Sequence, residues 1–230
     1  MYESTHISTP VRAIVADDHP LVLLAVENLM SGFPNMEIVG RATDAAELFA
    51  EADRVKCDLA VMDLYMPGNM EGDGFTTLRQ FRQRHPNVAL VVLTMETDAS
   101  ALQRVLALGA EALLSKRDRI DLIHVAIVSA LARERYIGPA VRTLIADAAQ
   151  AERFEFVREV LSPRELEVIT QYASGIGVTE LAERFERSVK TISSQKCAAM
   201  RKLALNSDSE LFRFAVEYGL LPQGLPQSRR

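Results

Sequence analysis

Residues 59–67 read Leu-Ala-Val-Met-Asp-Leu-Tyr-Met-Pro. Four apolar residues precede Asp63 here, and a second continuously apolar run covers residues 88–93. Uninterrupted apolar runs of this length are typical of strands that are covered on both faces, as in a parallel sheet between helices. The carboxyl group of Asp63 is therefore expected at the end of a buried strand.

Strand and helix patterns alternate through the first part of the chain. Apolar strand segments at residues 11–16, 37–41, 59–63, 88–94 and 112–115 are each followed by a helical pattern. Five strand–helix units of this kind predict an α/β fold with a five-stranded, parallel, doubly wound sheet and helices on both faces.

The pattern changes in the second part of the chain. Gly138-Pro139 begins a short helix that we expect to end near Ala149, and the charged residues 150–160 are interpreted as a linker. Beyond them only helices are predicted, two of which begin at the capping boxes Ser162-Pro163-Arg164-Glu165 and Ser207-Asp208-Ser209-Glu210. The predicted regions are an α/β domain at residues 11–135, a linker with a short helix at 136–160, and an all-α four-helix domain at 161–225.

Composition indicates an ordinary globular protein. Hydrophobic residues make up 48% and charged residues 25% of the 230 residues, which excludes disordered, collagenous and fibrous classes. Apolar runs are far shorter than the ~20 residues of a membrane span, and the polar first ten residues lack the core of a signal peptide. Cys57 and Cys197 suit neither a disulfide framework nor a metal spacing. We expect a cytoplasmic protein that does not contact a membrane.

Charge is distributed unevenly along the chain. The formal net charge is −5, but residues 161–230 contain 10 Lys and Arg against 8 Asp and Glu. Six of these cations lie within residues 184–202, where Glu186 is the single acidic residue. A locally basic helical domain beside an acidic α/β domain predicts that the helical domain binds a polyanion.

Polar side chains lie at the ends of four predicted strands: Asp17-Asp18, Asp63, Thr94 and Lys116. Because ligands of an open parallel sheet bind at the carboxyl ends of its strands, we expect these five groups to converge. Three crowded carboxylates repel one another unless a cation lies among them, and oxygen ligands with room for water suit Mg²⁺. One carboxylate would then be able to attack a phosphoryl group. Each residue alone also fits a structural role, so the prediction depends on the set; the neighbouring His19 is interpreted as a structural residue at a helix start.

The first domain resembles the receiver domain of bacterial two-component response regulators, in Asp17-Asp18, in Asp63 within Asp-Leu-Tyr-Met-Pro, in Thr94 and in Lys116. The resemblance covers about residues 11–131 and implies a flavodoxin-like fold. It implies that Asp63 accepts a phosphoryl group from a sensor histidine kinase or a phosphotransfer protein, and that Thr94 and Lys116 contact this group. The implied Mg²⁺ ligands are Asp17 through water, Asp18, Asp63 and the backbone carbonyl of Tyr65.

The helical domain contains a helix-turn-helix pattern. Its turn is Glu186-Arg187-Ser188, and its second helix begins with Val-Lys-Thr-Ile-Ser-Ser-Gln-Lys at residues 189–196. Short polar side chains on the first turns of a helix can approach base edges, while flanking cations can reach phosphates. Residues 161–203 resemble the DNA-binding domain of the NarL/FixJ regulators with a LuxR-type helix-turn-helix, with particular similarity to the subset that regulates capsule synthesis.

By this resemblance the groove-facing residues of the recognition helix are Ser193, Ser194 and Cys197. The candidates for phosphate contacts are Lys190, Thr191, Lys196 and Lys202, with a solvated helix face as the alternative for Lys190 and Lys196. The last helix is predicted to form a dimer face, with core packing as the alternative. Its residues are Leu211, Phe212, Ala215 and Val216.

Three positions depart from the family pattern. Many receivers have an aromatic residue at the position of Leu113, where its rotamer accompanies activation. Relatives tend to have lysine at the position of Cys197. The loop at residues 68–74 is longer than the common Pro-x-x-Asp-Gly turn, and the capsule-synthesis subset has a similar loop.

Together these features predict a DNA-binding transcriptional regulator, not an enzyme, whose phosphorylation on Asp63 favours a homodimer that binds promoters. Two alternatives stay open. The protein could act without phosphorylation through an auxiliary transcription regulator, an option suggested by Leu113. It could instead be a phosphatase with an aspartyl-phosphate intermediate, although Tyr65 occupies the position where such enzymes usually have a second aspartate.

Overall fold

The structure, a computed structural model, describes residues 9–67 and 73–221. Most of the long loop predicted at residues 68–74 and the end of the helical domain predicted at residue 225 lie outside these residues. The chain divides into two compact units between Ile145 and Ala146. Among the described residues, no helix combines the length and apolar content that crossing a membrane requires.

The first unit is a parallel sheet with helices on both faces, as predicted. Its strands are β1 Val11–Ala16, β2 Met36–Ala42, β3 Leu59–Asp63, β4 Ala89–Thr94, β5 Ala112–Ser115 and β6 Tyr136–Ile137. Its helices are α1 Pro20–Met30, α2 Ala45–Arg54, α3 Gly74–Arg84, α4 Ala99–Ala107 and α5 Leu122–Leu131. The strand order is β2-β1-β3-β4-β5-β6.

The predicted number of five strands was wrong, because β6 adds a sixth strand in the region interpreted as a linker. Ile137 pairs with Leu113 and Tyr136 pairs with Ala112 in the parallel register. A strand of two residues is too short to show a period-2 pattern in the sequence.

Strands β3 and β4 are buried along their whole length, which explains their continuously apolar sequences. Met62 and Val92 belong to a core shared with Leu48 of α2, Phe81 of α3 and Leu102 of α4. The opposite face of the same strands packs against α1 and α5, through a second core that includes Val26 and Ile127.

Helix α6 runs from Pro139 to Val160, so it begins in the first unit and ends in the second. The predicted short helix ending near Ala149 and the predicted linker at residues 150–160 were therefore wrong. This segment is rich in Glu, Arg and Ala, which are good helix formers. Most of its side chains are exposed, and the two fully buried ones, Val141 and Val157, lie far apart, so the apolar periodicity that would indicate a helix is weak.

The second unit contains the predicted four helices, which are α7 Pro163–Ala173, α8 Val178–Arg184, α9 Val189–Lys202 and α10 Asp208–Glu217. Ser162, Ser188 and Ser207 cap α7, α9 and α10 through their side chains. Ile169 and Leu211 belong to its core, which Val157 of α6 joins.

Glu165 connects the start of α7 to the end of α9. Its Oε2 accepts hydrogen bonds from the backbone N–H and hydroxyl of Ser162, each at 2.8 Å, and from Lys202 Nζ at 2.7 Å. The Lys202 ammonium, followed by the Ser162 N–H, lowers the pKa of Glu165 to about 2. The carboxylate thus completes a capping box and an interhelical ion pair at once.

We expect the stability of the second unit to fall on acidification because of Glu165. A carboxyl group whose pKa is lower in the folded state stabilises the fold above its unfolded pKa, and this contribution disappears as the pH falls through the folded value. Denaturant unfolding measured between about pH 6 and pH 2 gives the free energy of unfolding. On acidification this free energy should fall less for Glu165→Gln than for the parent protein.

The control is Glu167→Gln, which removes an exposed carboxylate that pairs with Arg164 on the same helix. It should leave the pH dependence of the parent nearly unchanged. If the free energy of unfolding depends on pH equally in Glu165→Gln and in the parent, this role of Glu165 is contradicted.

Candidate functional site

The carboxylates that the sequence analysis singled out lie together at one edge of the sheet. Asp17 and Asp18 follow β1, Asp63 ends β3, and the pairing of Ala16 with Met62 brings these strand ends side by side. Ligand atoms of Asp17, Asp18, His19 and Asp63 all lie within 4.8 Å of one another. Asp17 and Asp63 are almost fully buried, so their charges are shielded from water.

Lys116 follows β5 and bridges two of these carboxylates. Its Nζ lies 2.8 Å from Asp17 Oδ2 and 2.7 Å from Asp63 Oδ2. Burial opposes the charged ammonium, but its contacts with Asp17 and Asp63 outweigh this effect, and the pKa of Lys116 is raised. Burial also raises the pKa of Asp63, while Lys116 opposes the shift. One ammonium therefore faces three carboxyl groups, and a hard cation would offset the remaining negative charge.

Thr94 ends β4 and is completely buried. Its Oγ1 accepts a hydrogen bond from the backbone N–H of Glu96 at 3.0 Å, and its carbonyl accepts one from the backbone N–H of Lys116 at 2.8 Å. The hydroxyl is thus bonded to its own loop, and the backbone links it to the residue that neutralises Asp63.

A hydrogen bond between Tyr65 and Glu96 joins the loops after β3 and β4. The Tyr65 hydroxyl donates to Glu96 Oε2 at 2.7 Å, and its backbone N–H donates to Asp63 Oδ1 at 3.4 Å. Burial, followed by the bond to Glu96, raises the pKa of Tyr65 to about 12. Tyr65 was predicted only as a backbone ligand, and Glu96 was not predicted as its partner. The parallel pairing of Asp63 with Leu93 was the available signal, because it brings the loops that follow the two strands together.

His19 is the N-cap residue of α1, in agreement with its interpretation as a helix-start residue. Its backbone N–H donates to Asp17 Oδ1 at 2.9 Å, and its Nδ1 lies 2.7 Å from Asp18 Oδ1. The imidazole therefore also lies beside the carboxylates, as a fourth group with a metal-ligating atom.

Helix α9 presents several of the predicted DNA-binding residues to solvent. Lys190, Thr191, Ser194 and Cys197 are exposed, whereas Ser193 is half-buried. Ser188 caps the helix by accepting the Thr191 backbone N–H at 3.1 Å. The exposed residues on the first turns of α9 have the short or cationic side chains that a groove-binding helix requires.

Lys196 and Lys202 already have carboxylate partners within the second unit. Lys196 Nζ lies 2.6 Å from Asp208 Oδ1 and 3.9 Å from the ring centre of Tyr172, whose hydroxyl donates to Asp208 Oδ2 at 2.6 Å. Lys202 pairs with Glu165, as described above. A phosphate would be a second anionic partner for either ammonium or would replace the first.

The predicted dimer face on the last helix needs correction. Leu211 and Ala215 are 0% exposed and belong to the core of the second unit, because they lie on the face of α10 that packs inside it. Phe212 and Val216 are 39% and 69% exposed. Only these two of the four residues are available to a partner.

Comparison with known proteins agrees with the division of the chain into two units. Residues 13–128 match the response regulator receiver domain, and residues 159–215 match the luxR family of bacterial regulatory proteins. The transcriptional regulatory protein RcsB of Escherichia coli is 32% identical over 92% of this chain and 97% of its own length. The chain belongs to the NarL/FixJ family of response regulators. Its resemblance to a receiver domain and to a LuxR-type domain is thereby confirmed.

Solved structures of RcsB agree with this assignment. An RcsB structure from Salmonella typhimurium matches with a TM-score of 0.60 at 29% identity and covers 90% of this chain and 99% of that one. RcsB of Salmonella enterica serovar Typhimurium, bound to a promoter in the presence of the phosphomimetic BeF₃⁻, matches with a TM-score of 0.57 at 30% identity, covering 90% and 98%. The chain is thus a transcriptional response regulator that combines a receiver domain with a DNA-binding domain.

Removal of the Lys116 ammonium tests the electrostatics of the acidic edge. We expect Lys116→Met to unfold more easily than the parent, by about 3 kcal/mol in metal-free buffer, because it leaves buried carboxylates without their counterion. Added Mg²⁺ should stabilise the variant more than the parent, since the ion no longer competes with an ammonium.

Thermal unfolding over a series of Mg²⁺ concentrations gives both quantities. Lys56→Met, which removes an exposed lysine from the same unit, is the control and should behave as the parent does. A Lys116→Met protein that gains no more from Mg²⁺ than this control would contradict competition between the ammonium and the ion, and no gain in any of the three proteins would show that the carboxylates do not form a cation site.

Proposed function

We propose that Asp63 is the phosphoacceptor of this response regulator. The observation that carries the proposal is the convergence of Asp17, Asp18 and Asp63 at the carboxyl ends of the strands, where the Lys116 ammonium contacts Asp17 and Asp63. An Asp63 oxygen attacks the phosphorus of a phosphohistidine on a sensor histidine kinase or phosphotransfer protein. The phosphorus–nitrogen bond breaks, the imidazole leaves with its electron pair, and an acyl phosphate remains on Asp63.

The residues present fit Mg²⁺ at this edge. Asp18 and Asp63, with Asp17 acting through water, offer the hard oxygen donors that this ion prefers, and the Tyr65 carbonyl lies on the adjacent loop. When bound, the ion supplies neutralisation of charge on the transferring phosphoryl group. Lys116 supplies a second positive charge, 2.7 Å from the Asp63 oxygen.

Thr94 is proposed as the residue that responds to the phosphoryl group. Its hydroxyl would donate a charge-assisted hydrogen bond to a phosphoryl oxygen, which contributes roughly 1.5–3 kcal/mol. The backbone N–H of Glu96 donates to Thr94 Oγ1, which leaves the proton of the hydroxyl for this bond. The resulting shift in conformation favours a homodimer, to which the exposed Phe212 and Val216 are available.

Intact-mass analysis tests the phosphoacceptor directly. Incubation with a small phosphodonor and Mg²⁺ should add one phosphoryl group to the parent, none to Asp63→Asn, and none to the parent after chelation of divalent cations. Asp53→Asn is the matched control, because Asp53 is an exposed carboxylate on α2. Labelling that persists in Asp63→Asn, or that needs no metal, would overturn the assignment.

We further propose that α9 binds the major groove of DNA as the recognition helix. RcsB has been solved in complex with DNA, including two dimers on two parallel DNAs, and α9 presents Lys190, Thr191, Ser194 and Cys197 to solvent. Lys190 and Thr191 lie on the first turn, where contacts to phosphates position the helix. Ser194, and Ser193 to the extent that it is exposed, are candidates for contacts with base edges.

Substitution of Lys190 and of Lys196 compares a lysine without an ion pair among the described residues with a lysine that is paired. Lys190→Ala should weaken binding to specific and scrambled duplexes alike and reduce the salt dependence by about one counterion. Lys196→Ala should leave the salt dependence nearly unchanged, since its ammonium is paired with Asp208. Titrations at several salt concentrations measure both slopes. An equal change in slope for Lys196→Ala would show that Lys196 contacts a phosphate despite its pairing with Asp208.

We propose regulation rather than enzymatic turnover, in the cytoplasm. A phosphatase of the aspartyl-phosphate class would need an acid–base group two residues after Asp63, and the pKa of Tyr65, raised to about 12, is poorly matched to that role at neutral pH. Action through an auxiliary transcription regulator is favoured by one observation only, the buried aliphatic Leu113. Promoter binding by Asp63→Ala with and without a candidate partner protein separates that mode from phosphorylation control.

A further inference from the structure

The start of α6 is capped by a residue from a distant loop. Gly138 precedes the first helical residue, Pro139, and has no side chain with which to bond the free N–H groups of the first turn. Asp118, from the loop after β5, takes this role, because its Oδ1 accepts the backbone N–H of Ala140 at 2.9 Å. A carboxylate at this end of a helix is also favoured by the helix dipole.

The same carboxylate holds the loop that contains Lys116. Asp118 Oδ2 accepts the backbone N–H of Ser115 at 3.0 Å, and the Asp118 N–H donates to the Ser115 carbonyl at 2.9 Å. Ser115 is the last residue of β5 and directly precedes Lys116. One side chain therefore bonds both to the backbone beside the phosphorylation-site lysine and to the first turn of α6.

Gly138 is the residue that permits this close approach. A Cβ atom at position 138 would lie 2.3 Å from Asp118 Oδ2 and 3.3 Å from the Cα of Leu114. The Gly138 N–H meanwhile donates to the Leu113 carbonyl at 2.8 Å. Any side chain at this position would displace the carboxylate from the helix terminus.

Helix α6 continues without interruption from this cap to Val160, and Val157 belongs to the core of the second unit. The Asp118 bond thus attaches the Lys116 loop to a helix that continues from the receiver domain into the DNA-binding unit. Leu113, where many receivers have an aromatic switch residue, is fully buried in β5 and bonds through its backbone to the same region.

We propose that Asp118 is a positioning residue that couples the phosphorylation site to α6. The inference rests on the proposed function, in which Lys116 exchanges Asp63 for the phosphoryl group. A displacement of the Lys116 loop would then change the Asp118 bond to Ala140, so that α6 has two states that phosphorylation favours unequally. Coupling between sites amounts in general to about 5- to 150-fold in affinity.

The experiment measures DNA affinity of the full chain before and after phosphorylation, and the readout is the ratio of the two affinities. Asp118→Asn removes one of two acceptor oxygens, and Gly138→Ala displaces the carboxylate from the other side. Because loss of a helix cap changes an equilibrium by about fivefold, both variants should lower the ratio by about fivefold. Asp121→Asn is the control and should keep the parent ratio, since Asp121 bonds the exposed Arg119 and does not cap α5 through its side chain.

Intact mass, the affinity ratio and the melting temperature together decide the role of Asp118. Intact mass establishes that each protein accepts one phosphoryl group, and a variant that accepts none would show that Asp118 holds Lys116 in place and does not couple it to α6. A parent ratio near one would contradict the proposed function and the coupling together. A parent ratio well above one that both variants retain would overturn the coupling alone; if their melting temperatures fall as well, Asp118 is merely a structural cap.

Discussion

Negative charge gathered at one edge of the sheet is the constraint on which the receiver domain depends. Three carboxylates meet there because parallel strands end side by side, and one ammonium neutralises only part of their charge. The raised pKa of Asp63 shows that burial disfavours its charged form. Any added positive charge stabilises such an edge, because the pairing of the strands prevents the carboxylates from separating. Its chemistry is therefore a consequence of where the strands end.

Charge pairing also determines which part of the helical unit is available to DNA. The sequence contains a basic excess at residues 184–202, yet Lys196 and Lys202 are held by Asp208 and Glu165. These pairs lie between helices and help to fix the position of α9. Among the described residues, Lys190 has no carboxylate partner. The net charge thus indicates a polyanionic partner, while the ion pairs determine which lysines of α9 are available to bind it.

Sequence patterns predicted the features that arise from periodicity or from strand ends. The parallel sheet followed from continuous apolar runs, and the convergence of Asp17, Asp18 and Asp63 followed from the geometry of parallel strands. Strand β6 and the second half of α6 were missed, since two residues show no period and a charged helix shows little. The burial of Leu211 and Ala215, and the partners of Tyr65 and Asp118, depend on residues distant in sequence. No local pattern contains such contacts.

Activation without an aromatic residue at Leu113 has a physical route in this chain. Two loops adjoin the acidic edge: the loop after β4 holds Thr94 through Glu96, and the loop after β5 holds Lys116 beside Asp118. A hydrogen bond to an ionic acceptor, worth roughly 1.5–3 kcal/mol, shifts a two-state equilibrium by about one to two decades. The loop after β4 offers Thr94 for such a bond, whereas the loop after β5 is the one of these two that bonds to α6 among the described residues. In the proposed function, recognition of the phosphoryl group and transmission of its effect therefore fall to different loops, and the backbone bond between Lys116 and Thr94 joins them.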